Sequence, residues 1–282
     1  MDIFSYGIND LKKIPSRPAR SNKGTFGRVL VVGGSVGMSG AAYFSAKAAY
    51  RTGAGLVQIL TSEQNRVIYQ AQLPEALLAL YDAAVPDESA VKNAVCRASA
   101  VAVGMGLGTS EGSKNILRYT LESVTSPLVI DADALNILAA EPALWELVPK
   151  GSIITPHPAE MSRISGIPIE NICAAIPDIS AGFAKKRNVI CVLKDKNTAI
   201  SDGDRIMVNS SGNSGLATGG SGDVLSGVIA ALLAQGCDSF EAAALGVYVH
   251  GLAGDDAAAR LSEYSVMASD VIDSLPNILK MR

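Results

Sequence analysis

Short runs of consecutive apolar, mostly β-branched residues recur along this chain, and Ala-rich stretches of helical length separate them. Strands that are covered on both faces need apolar side chains at every position, and parallel strands need such helical crossovers. The pattern therefore predicts a parallel sheet with helices on both faces. The predicted strands are residues 29–32, 56–60, 100–103, 128–130, 152–154 and 189–193.

The chain departs from this pattern after residue 196. Two short runs, 197–201 and 205–208, flank Asp202-Gly203-Asp204, a turn sequence typical of a β-hairpin. The predicted fold is therefore an α/β three-layer sandwich. Its central, mostly parallel sheet carries an antiparallel edge, and helices cover both faces.

Two helices are predicted in the last third of the chain. Apolar spacing predicts a helix over residues 223 to about 236, and an Ala-, Leu- and Gly-rich stretch predicts another over residues 239 to about 260. Pro177 lies inside the helical span 169–186, where we expect it to kink or break the helix.

Composition limits the classes of protein to consider. With 48% hydrophobic and 5% aromatic residues, the 282-residue chain can bury a large aliphatic core, and we expect a single domain over residues 1–282. The net charge of −3, without a stripe of Lys or Arg, argues against nucleic acid as a partner. Apolar stretches stop short of a bilayer-spanning length and the N-terminus does not resemble an export signal, so we expect a cytoplasmic protein that does not bind membranes.

Four cysteines without metal-ligand spacing are interpreted as reduced core residues: Cys96, Cys173, Cys191 and Cys237.

The segment 209–223 combines glycines with small polar residues and leads into a predicted helix. Glycines lose much chain entropy on folding, which favours a backbone that has to bend sharply or approach a ligand closely. Main-chain N–H groups at a helix N-terminus bind phosphate, and a carboxylate there can accept a hydroxyl proton. We therefore predict the reaction centre here, with Asp223 as the catalytic acid/base. The predicted phosphate-binding turn is Gly219, Gly220, Ser221 and Gly222.

Two further glycine-rich turns, at residues 33–40 and 104–109, each follow a predicted strand and precede a helix. The first is not a phosphate-binding Walker loop, because no Gly-Lys-Ser/Thr closes it, and a tight turn without a ligand is the alternative. Since open α/β sheets bind ligands at the carboxyl ends of their strands, we expect both turns to line one shared site.

Charged side chains also follow the predicted strands. Asp131 is the better candidate to face a ligand, whereas Asp133 could equally cap the next helix. His157 stands between two prolines and is predicted to be functional, while Glu160 could face a metal-bound water or cap a helix. The other histidine, His250, lies in an apolar helix and is interpreted as a packed core residue.

A lysine-containing segment ends the strand at residues 189–193. It suits contact with the phosphates of a nucleotide, and a charged surface hairpin is the alternative. The predicted nucleotide-binding residues are Lys194, Asp195, Lys196, Asn197 and Thr198.

The turn that ends in Asp223 resembles the anion hole and catalytic Asp of the ribokinase-like superfamily. Within that superfamily, the chain is similar to the ADP-dependent NAD(P)H-hydrate dehydratases from about residue 9 to its C-terminus, and its last motif is the most specific. The matching motifs are KGTFGRVLVVGG from Lys23, GMSGAA from Gly37, GMGLG from Gly104, DADALN from Asp131, TPHPAE from Thr155, LKDKNT from Leu193 and GNSGLATGGSGDVLSG from Gly212.

The resemblance implies a metabolite repair reaction. An adenine nucleotide, preferably ADP rather than ATP, would phosphorylate the ring hydroxyl of (6S)-NADHX or NADPHX, the hydrated forms of NADH and NADPH. Phosphate would then leave, with AMP as the other product, and Mg²⁺ would assist. By resemblance, Glu160 would hold the metal through a water, and residues 194–198 with Gly222 would hold the nucleotide. The implied contacts to the hydrate are Ala42, Gly106, His157 and Asp223.

One departure from the family pattern lies in the nucleotide segment: Asp195 stands where members usually have Gly, which could weaken nucleotide affinity or simply point to solvent. The resemblance also implies a homotetramer, and the Ala- and Gly-rich helices suggest flat packing faces. Two alternatives stay open. The first is an ordinary kinase of the same fold acting on a vitamin precursor or sugar. The second is a non-catalytic nucleotide sensor, against which the intact Asp223 argues.

Overall fold

The apolar runs pair side by side in one sheet. The structure is a computed structural model that describes residues 2–282, and these residues form a ten-stranded sheet in the order β1-β10-β9-β8-β7-β6-β5-β2-β3-β4. The strands are β1 (Asp2–Phe4), β2 (Arg28–Val32), β3 (Leu56–Ser62), β4 (Leu77–Tyr81), β5 (Ala100–Val103), β6 (Leu128–Ile130), β7 (Ile153–Ile154), β8 (Ile190–Leu193), β9 (Ala199–Ser201) and β10 (Arg205–Val208).

Strand direction follows the prediction of a mostly parallel sheet with an antiparallel side. Strand β9 is antiparallel to both β8 and β10, whereas the other neighbouring pairs are parallel. Because β9 is reversed between them, β8 and β10 point the same way. The segments that follow Leu193 and Val208 therefore start at the same edge of the sheet.

Helices lie on both faces of this sheet. In the described residues they are α1 (Ser39–Arg51), α2 (Arg66–Gln72), α3 (Glu88–Val95), α4 (Glu111–Ser123), α5 (Asp133–Ala140), α6 (Pro158–Ser165), α7 (Ile169–Ala174), α8 (Ile176–Arg187), α9 (Ser221–Ala234), α10 (Ser239–Leu261) and α11 (Ala268–Leu279). None of the helices in residues 2–282 combines the length and the apolar character that a bilayer crossing requires.

Alternate side chains of the central strands enter two separate cores. Val29 and Val31 of β2 pack with α1, α9, α10 and α11, whereas Leu30 and Val32 pack on the other face with α3, α4, α5 and α8. All four side chains are fully buried. This division confirms the predicted three-layer sandwich.

Several predicted boundaries shift. Strands β1 and β4 are additions to the predicted set, and α9 begins at Ser221, two residues ahead of Asp223. Pro177 lies in the first turn of α8, so the helix breaks at Ala175, ahead of the proline, because the first turn of a helix tolerates proline.

The interpretation of the cysteines as core residues is wrong for two of the four. All four are free, but Cys96 and Cys173 are exposed. Cys191 is fully buried in the sheet and Cys237 is partly buried.

Candidate active site

A cavity of about 1030 Å³ opens at the edge where the parallel strands end. Its wall takes residues from the segments that follow β6, β7, β8 and β10, and from the start of α9. These include Asp131, His157, Glu160, Lys194, Asn209 and Asp223. The glycine-rich segment before α9 closes the cavity on the side of α10.

The turn at the start of α9 can only be made with glycine. Gly220 has a φ of +91°, and a Cβ atom there would lie 2.7 Å from Cδ2 of Phe44. The N–H group of Ser221 donates to the carbonyl of Thr218 at 3.3 Å. Among the described residues, the N–H groups of Gly222 and Asp223 find no protein acceptor. The turn therefore presents free amides at a helix N-terminus, as a phosphate site requires.

Asp223 lines the cavity directly beside these amides. Its main-chain carbonyl accepts a 2.6 Å hydrogen bond from Ser45 Oγ, which ties the first turn of α9 to α1. In residues 2–282 no protein group donates to its carboxylate. Burial, and secondly the nearby charge of Asp131, raise the pKa of Asp223 from 3.8 to about 7, although Lys194 opposes this rise. A carboxyl group with such a pKa suits general acid/base catalysis near neutral pH.

Lys194 reaches the cavity from the end of β8. Its Nζ lies 3.0 Å from Asp131 Oδ1 and 4.0 Å from Glu160 Oε2. The other oxygen of Asp131 accepts a 2.7 Å hydrogen bond from Ser226 Oγ of α9. Asp131 lines the cavity, but it is only 1% exposed and both its oxygens are engaged by the protein, so direct contact with a ligand stays a prediction.

His157 and Glu160 form a reciprocal cap at the start of α6. His157 Nδ1 accepts hydrogen bonds from the N–H groups of Ala159 and Glu160, at 3.1 and 3.4 Å, and the N–H group of His157 donates to Glu160 Oε2 at 2.9 Å. This arrangement leaves the His157 Nε2 side at the cavity, 3.5 Å from Glu160 Oε1. Burial lowers the pKa of His157 and raises the pKa of Glu160. Of the two roles left open for Glu160, helix capping is the one that these contacts display.

Most residues of the predicted nucleotide segments lie together in the cavity wall. Lys194, Asp195, Lys196 and Thr198 line it, as do Gly220, Ser221 and Gly222. Asn197 and Gly219 are exposed neighbours outside the lining.

Ala42 and Gly106 lie apart from this lining, where the first two glycine turns touch. The N–H group of Ser35 donates to the carbonyl of Gly106 at 2.6 Å, and Ala42 is buried against Gly34. The two turns thus contact each other at one edge of the sheet, while the ligand site that they are expected to share stays a prediction. Contact of Ala42 and Gly106 with a substrate stays a prediction.

Of the two roles considered for Asp133 from the sequence, the cap of α5 is wrong, because its side chain binds the second glycine turn instead. Its Oδ2 accepts a hydrogen bond from the N–H group of Gly108 at 2.8 Å, and its Oδ1 accepts one from Asn136 at 3.3 Å. Ala132 is the N-cap residue of α5, without a side-chain cap. Asp133 therefore stabilises the second glycine turn.

Two residues of α10 contact the site, a role that was not predicted for them from the sequence. His250 is buried as expected, yet its Nε2 lies 3.2 Å from Ser221 Oγ and it lines the cavity. Burial lowers its pKa to about 4, so the ring is neutral at pH 7. Asp255 accepts from the N–H group of Gly212 and from Asn213 Nδ2, at 3.0 and 2.9 Å. The signal available in the sequence was the presence of a polar residue, His250 or Asp255, within a mainly apolar helix.

The proteins that are similar to this chain in sequence are named for activity on hydrated NAD(P)H. The ADP-dependent (S)-NAD(P)H-hydrate dehydratase of Neisseria meningitidis is 41% identical over 248 aligned residues, and the match covers 85% of this chain and 80% of that protein. The chain spans about half the length of the bifunctional NAD(P)H-hydrate repair enzymes that it also matches.

Solved structures of similar proteins have the same fold as this chain. A ribokinase-like superfamily protein of Enterococcus faecalis superposes with a TM-score of 0.87 at 32% identity, covering 99% of this chain and 95% of that one. The ADP/ATP-dependent NAD(P)H-hydrate dehydratase of Bacillus subtilis, co-crystallised with ATP/Mg²⁺, superposes with a TM-score of 0.86 at 29% identity, covering 99% of both chains. The fold is thus ribokinase-like. The family model for NAD(P)H-hydrate dehydratase matches residues 29–277, and this chain belongs to that family.

Proposed function

We propose that this protein is a nucleotide-dependent hydro-lyase that converts (6S)-NADHX and NADPHX, the hydrated forms of NADH and NADPH, back to the intact cofactors. The terminal phosphoryl group of ADP moves to the ring hydroxyl and leaves AMP. The carbon–oxygen bond then breaks, phosphate departs with the electron pair, and the ring loses a proton. Phosphorylation helps because phosphate is a much better leaving group than hydroxide.

The observation that carries this proposal is the position of Asp223. Its carboxylate lines the cavity at the helix N-terminus where the amides of Gly222 and Asp223 are free of protein acceptors. A hydroxyl group bound there can give its proton to Asp223 while the amides stabilise charge on the transferred phosphoryl group. With a pKa of about 7, Asp223 is available as a base from neutral pH upwards.

The nucleotide is proposed to lie along residues 194–198 and the turn 219–222. Lys194 and Lys196 bring positive charge to the cavity wall, and Thr198 adds a hydroxyl group. ADP is proposed as the preferred nucleotide and ATP as the second, in line with the names of the relatives. The hydrate is proposed to contact His157 and Asp223, together with Ala42 and Gly106 at the neighbouring turns.

Magnesium fits this site only as an ion carried mainly by the phosphates. In residues 2–282, no three His, Cys, Asp or Glu side chains form a metal-binding group. Mg²⁺ commonly keeps several waters and takes one or two protein carboxylates besides phosphate oxygens. The buried Glu160 carboxylate in the cavity wall is proposed to hold it through a water. A bound Mg²⁺ would neutralise charge on the phosphates.

Incubation with ADP and hydrated NADH tests the proposal. The expected result is recovery of the absorbance of reduced nicotinamide, with AMP and free phosphate formed in equal amounts. A stable phosphorylated product without this recovery would identify a small-molecule kinase instead. Binding of nucleotide without any product would identify a sensor.

We also propose a cytoplasmic homo-oligomer, with a tetramer as the expected state. The free state of all four cysteines fits a reducing compartment. The buried faces of α9 and α10 pack inside the chain and cannot be the flat contact faces suggested from the sequence. Exposed apolar residues beside the outer strand β4 offer a surface instead: Val67, Ile68 and Leu77. Light scattering measures the mass in solution, and cell fractionation tests the compartment.

A further inference from the structure

Three side chains from three separate elements meet beside the turn that precedes Asp223. Asp131 follows β6, Lys194 follows β8, and Ser226 belongs to α9. Lys194 Nζ lies 3.0 Å from one oxygen of Asp131, and Ser226 Oγ donates to the other oxygen at 2.7 Å. Asp131 and Ser226 are almost fully buried, and the Lys194 side chain is 22% exposed.

Stability is a weak explanation for this group. Desolvation of a buried ion pair commonly offsets its attraction, so that well-packed apolar residues would serve the fold equally well. An isolated charge partner would not need the additional bond from Ser226. The role of these three side chains therefore depends on the position at which they hold the Lys194 ammonium.

The ammonium of Lys194 lies against the first turn of α9. A Cβ atom on Gly222 would lie 3.3 Å from Lys194 Nζ and 3.9 Å from Asp131 Oδ2. Gly222 carries one of the amides without a protein acceptor. Ser226 lies four residues further along the same helix, so the anchor of Asp131 and the phosphate-binding turn belong to one rigid element.

We infer that Asp131 is a positioning residue, which holds the Lys194 ammonium at the N-terminus of α9 so that the phosphates of a nucleoside diphosphate meet a fixed cation. Ser226 fixes Asp131 in turn. The inference rests on the proposed function, since it assigns a task to the nucleotide site of the same cavity.

The direction in which phosphate affinity changes on removal of the Asp131 charge separates this positioning role from simple electrostatic repulsion. A carboxylate close to bound phosphate repels it, so removal of the Asp131 charge should strengthen phosphate binding if the charge alone matters. If Asp131 positions Lys194, removal of its charge frees a flexible lysine side chain, and phosphate binding weakens.

Calorimetric titration of the Asp131→Asn variant with ADP and with adenosine tests the inference. The ratio of the two affinities isolates the contribution of the phosphates. We expect this ratio to fall by about tenfold or more, as for the loss of a charge-assisted hydrogen bond, while adenosine affinity stays within about twofold. An unchanged or larger ratio would overturn the inference.

Three further variants extend the test, and the first two, Ser226→Ala and Lys194→Gln, do so even if Asp131→Asn folds poorly. Ser226→Ala retains every charge and should lower the ratio by a smaller factor, roughly two- to fivefold. Lys194→Gln should lower it at least as much as Asp131→Asn, and the double variant should lose little more than Lys194→Gln alone. An unchanged ratio in Ser226→Ala, or fully additive losses in the double variant, would count against positioning.

These outcomes are distinct from a failure of the proposed function. If the unmodified protein binds ADP no better than adenosine, the nucleotide site itself is misassigned. If it shows a strong preference for ADP that survives Asp131→Asn, only the role of Asp131 is wrong.

Discussion

Replacement of Asp223 by Asn should stabilise the folded protein, and the gain should depend on pH. In the folded chain the pKa of Asp223 is about 7, compared with an ordinary value of 3.8. Between these pH values the folded carboxyl group keeps its proton while the unfolded one has released it. The contribution of Asp223 to the free energy of unfolding therefore falls as pH rises through this window, and it falls no further above pH 7.

The magnitude follows from the difference between the two pKa values. A difference of about 3 pH units corresponds to at most about 4 kcal/mol at 1.36 kcal/mol per unit. Asn retains the shape of the side chain and cannot ionise. The variant should therefore exceed the unmodified protein in stability by up to about 4 kcal/mol above pH 7, and by much less near pH 4.

Urea unfolding of both proteins at about pH 4.5 and pH 8, without nucleotide, measures this difference. Asp195→Asn is the matched control, because it removes the same charge from an exposed residue of the same cavity. The control should change the free energy of unfolding by no more than about 0.5 kcal/mol, as is usual for an exposed residue. If Asp223→Asn is no more stable than the unmodified protein at pH 8, the carboxylate is not held in the unfavourable surroundings described above.

Three further predictions concern the same cavity. Recovery of reduced nicotinamide should slow about tenfold per pH unit below about pH 7, because Asp223 takes up the proton that blocks it as a base, and a rate independent of pH between 5 and 8 would contradict this. Asp195→Gly should bind ADP several-fold more tightly in calorimetry at low salt, since it removes a negative charge from the cavity wall, whereas an unchanged affinity would mean that Asp195 points to solvent. Gly220→Ala should lose about 1–3 kcal/mol in urea unfolding and most turnover, because φ is +91° and Phe44 blocks a Cβ; retention of both would contradict the described turn.

The parts of the fold that the sequence predicts are those with a local signal. Strands β5 and β6 are apolar at every position, β2 is apolar after Arg28, and all three match the predicted runs closely. Strand β4 has the composition of a helix, LLALY, and becomes a strand through its pairing with β3. Strand β1 has three residues and pairs with β10, some 200 positions away, so no local pattern could indicate it.

In the candidate site, too, the sequence predicts the features that have a local signal and misses those that depend on distant residues. The glycine turn and Asp223 are recognisable because a helix N-terminus needs particular residues in a continuous order. Asp131, Lys194 and Ser226 meet only through the topology of the sheet, since 63 and 95 positions separate Asp131 from its two partners. His250 looks like a core residue in sequence because its contact with Ser221 spans 29 positions.

Turnover of Asp223→Asn on hydrated NADH with saturating ADP measures whether the reaction depends on this carboxylate. We expect ADP binding to stay within a few-fold of the unmodified protein, while the rate of NADH recovery falls by about 10² to 10⁴. A variant that recovers NADH within a few-fold of the unmodified rate would show that the chemistry does not depend on this carboxylate.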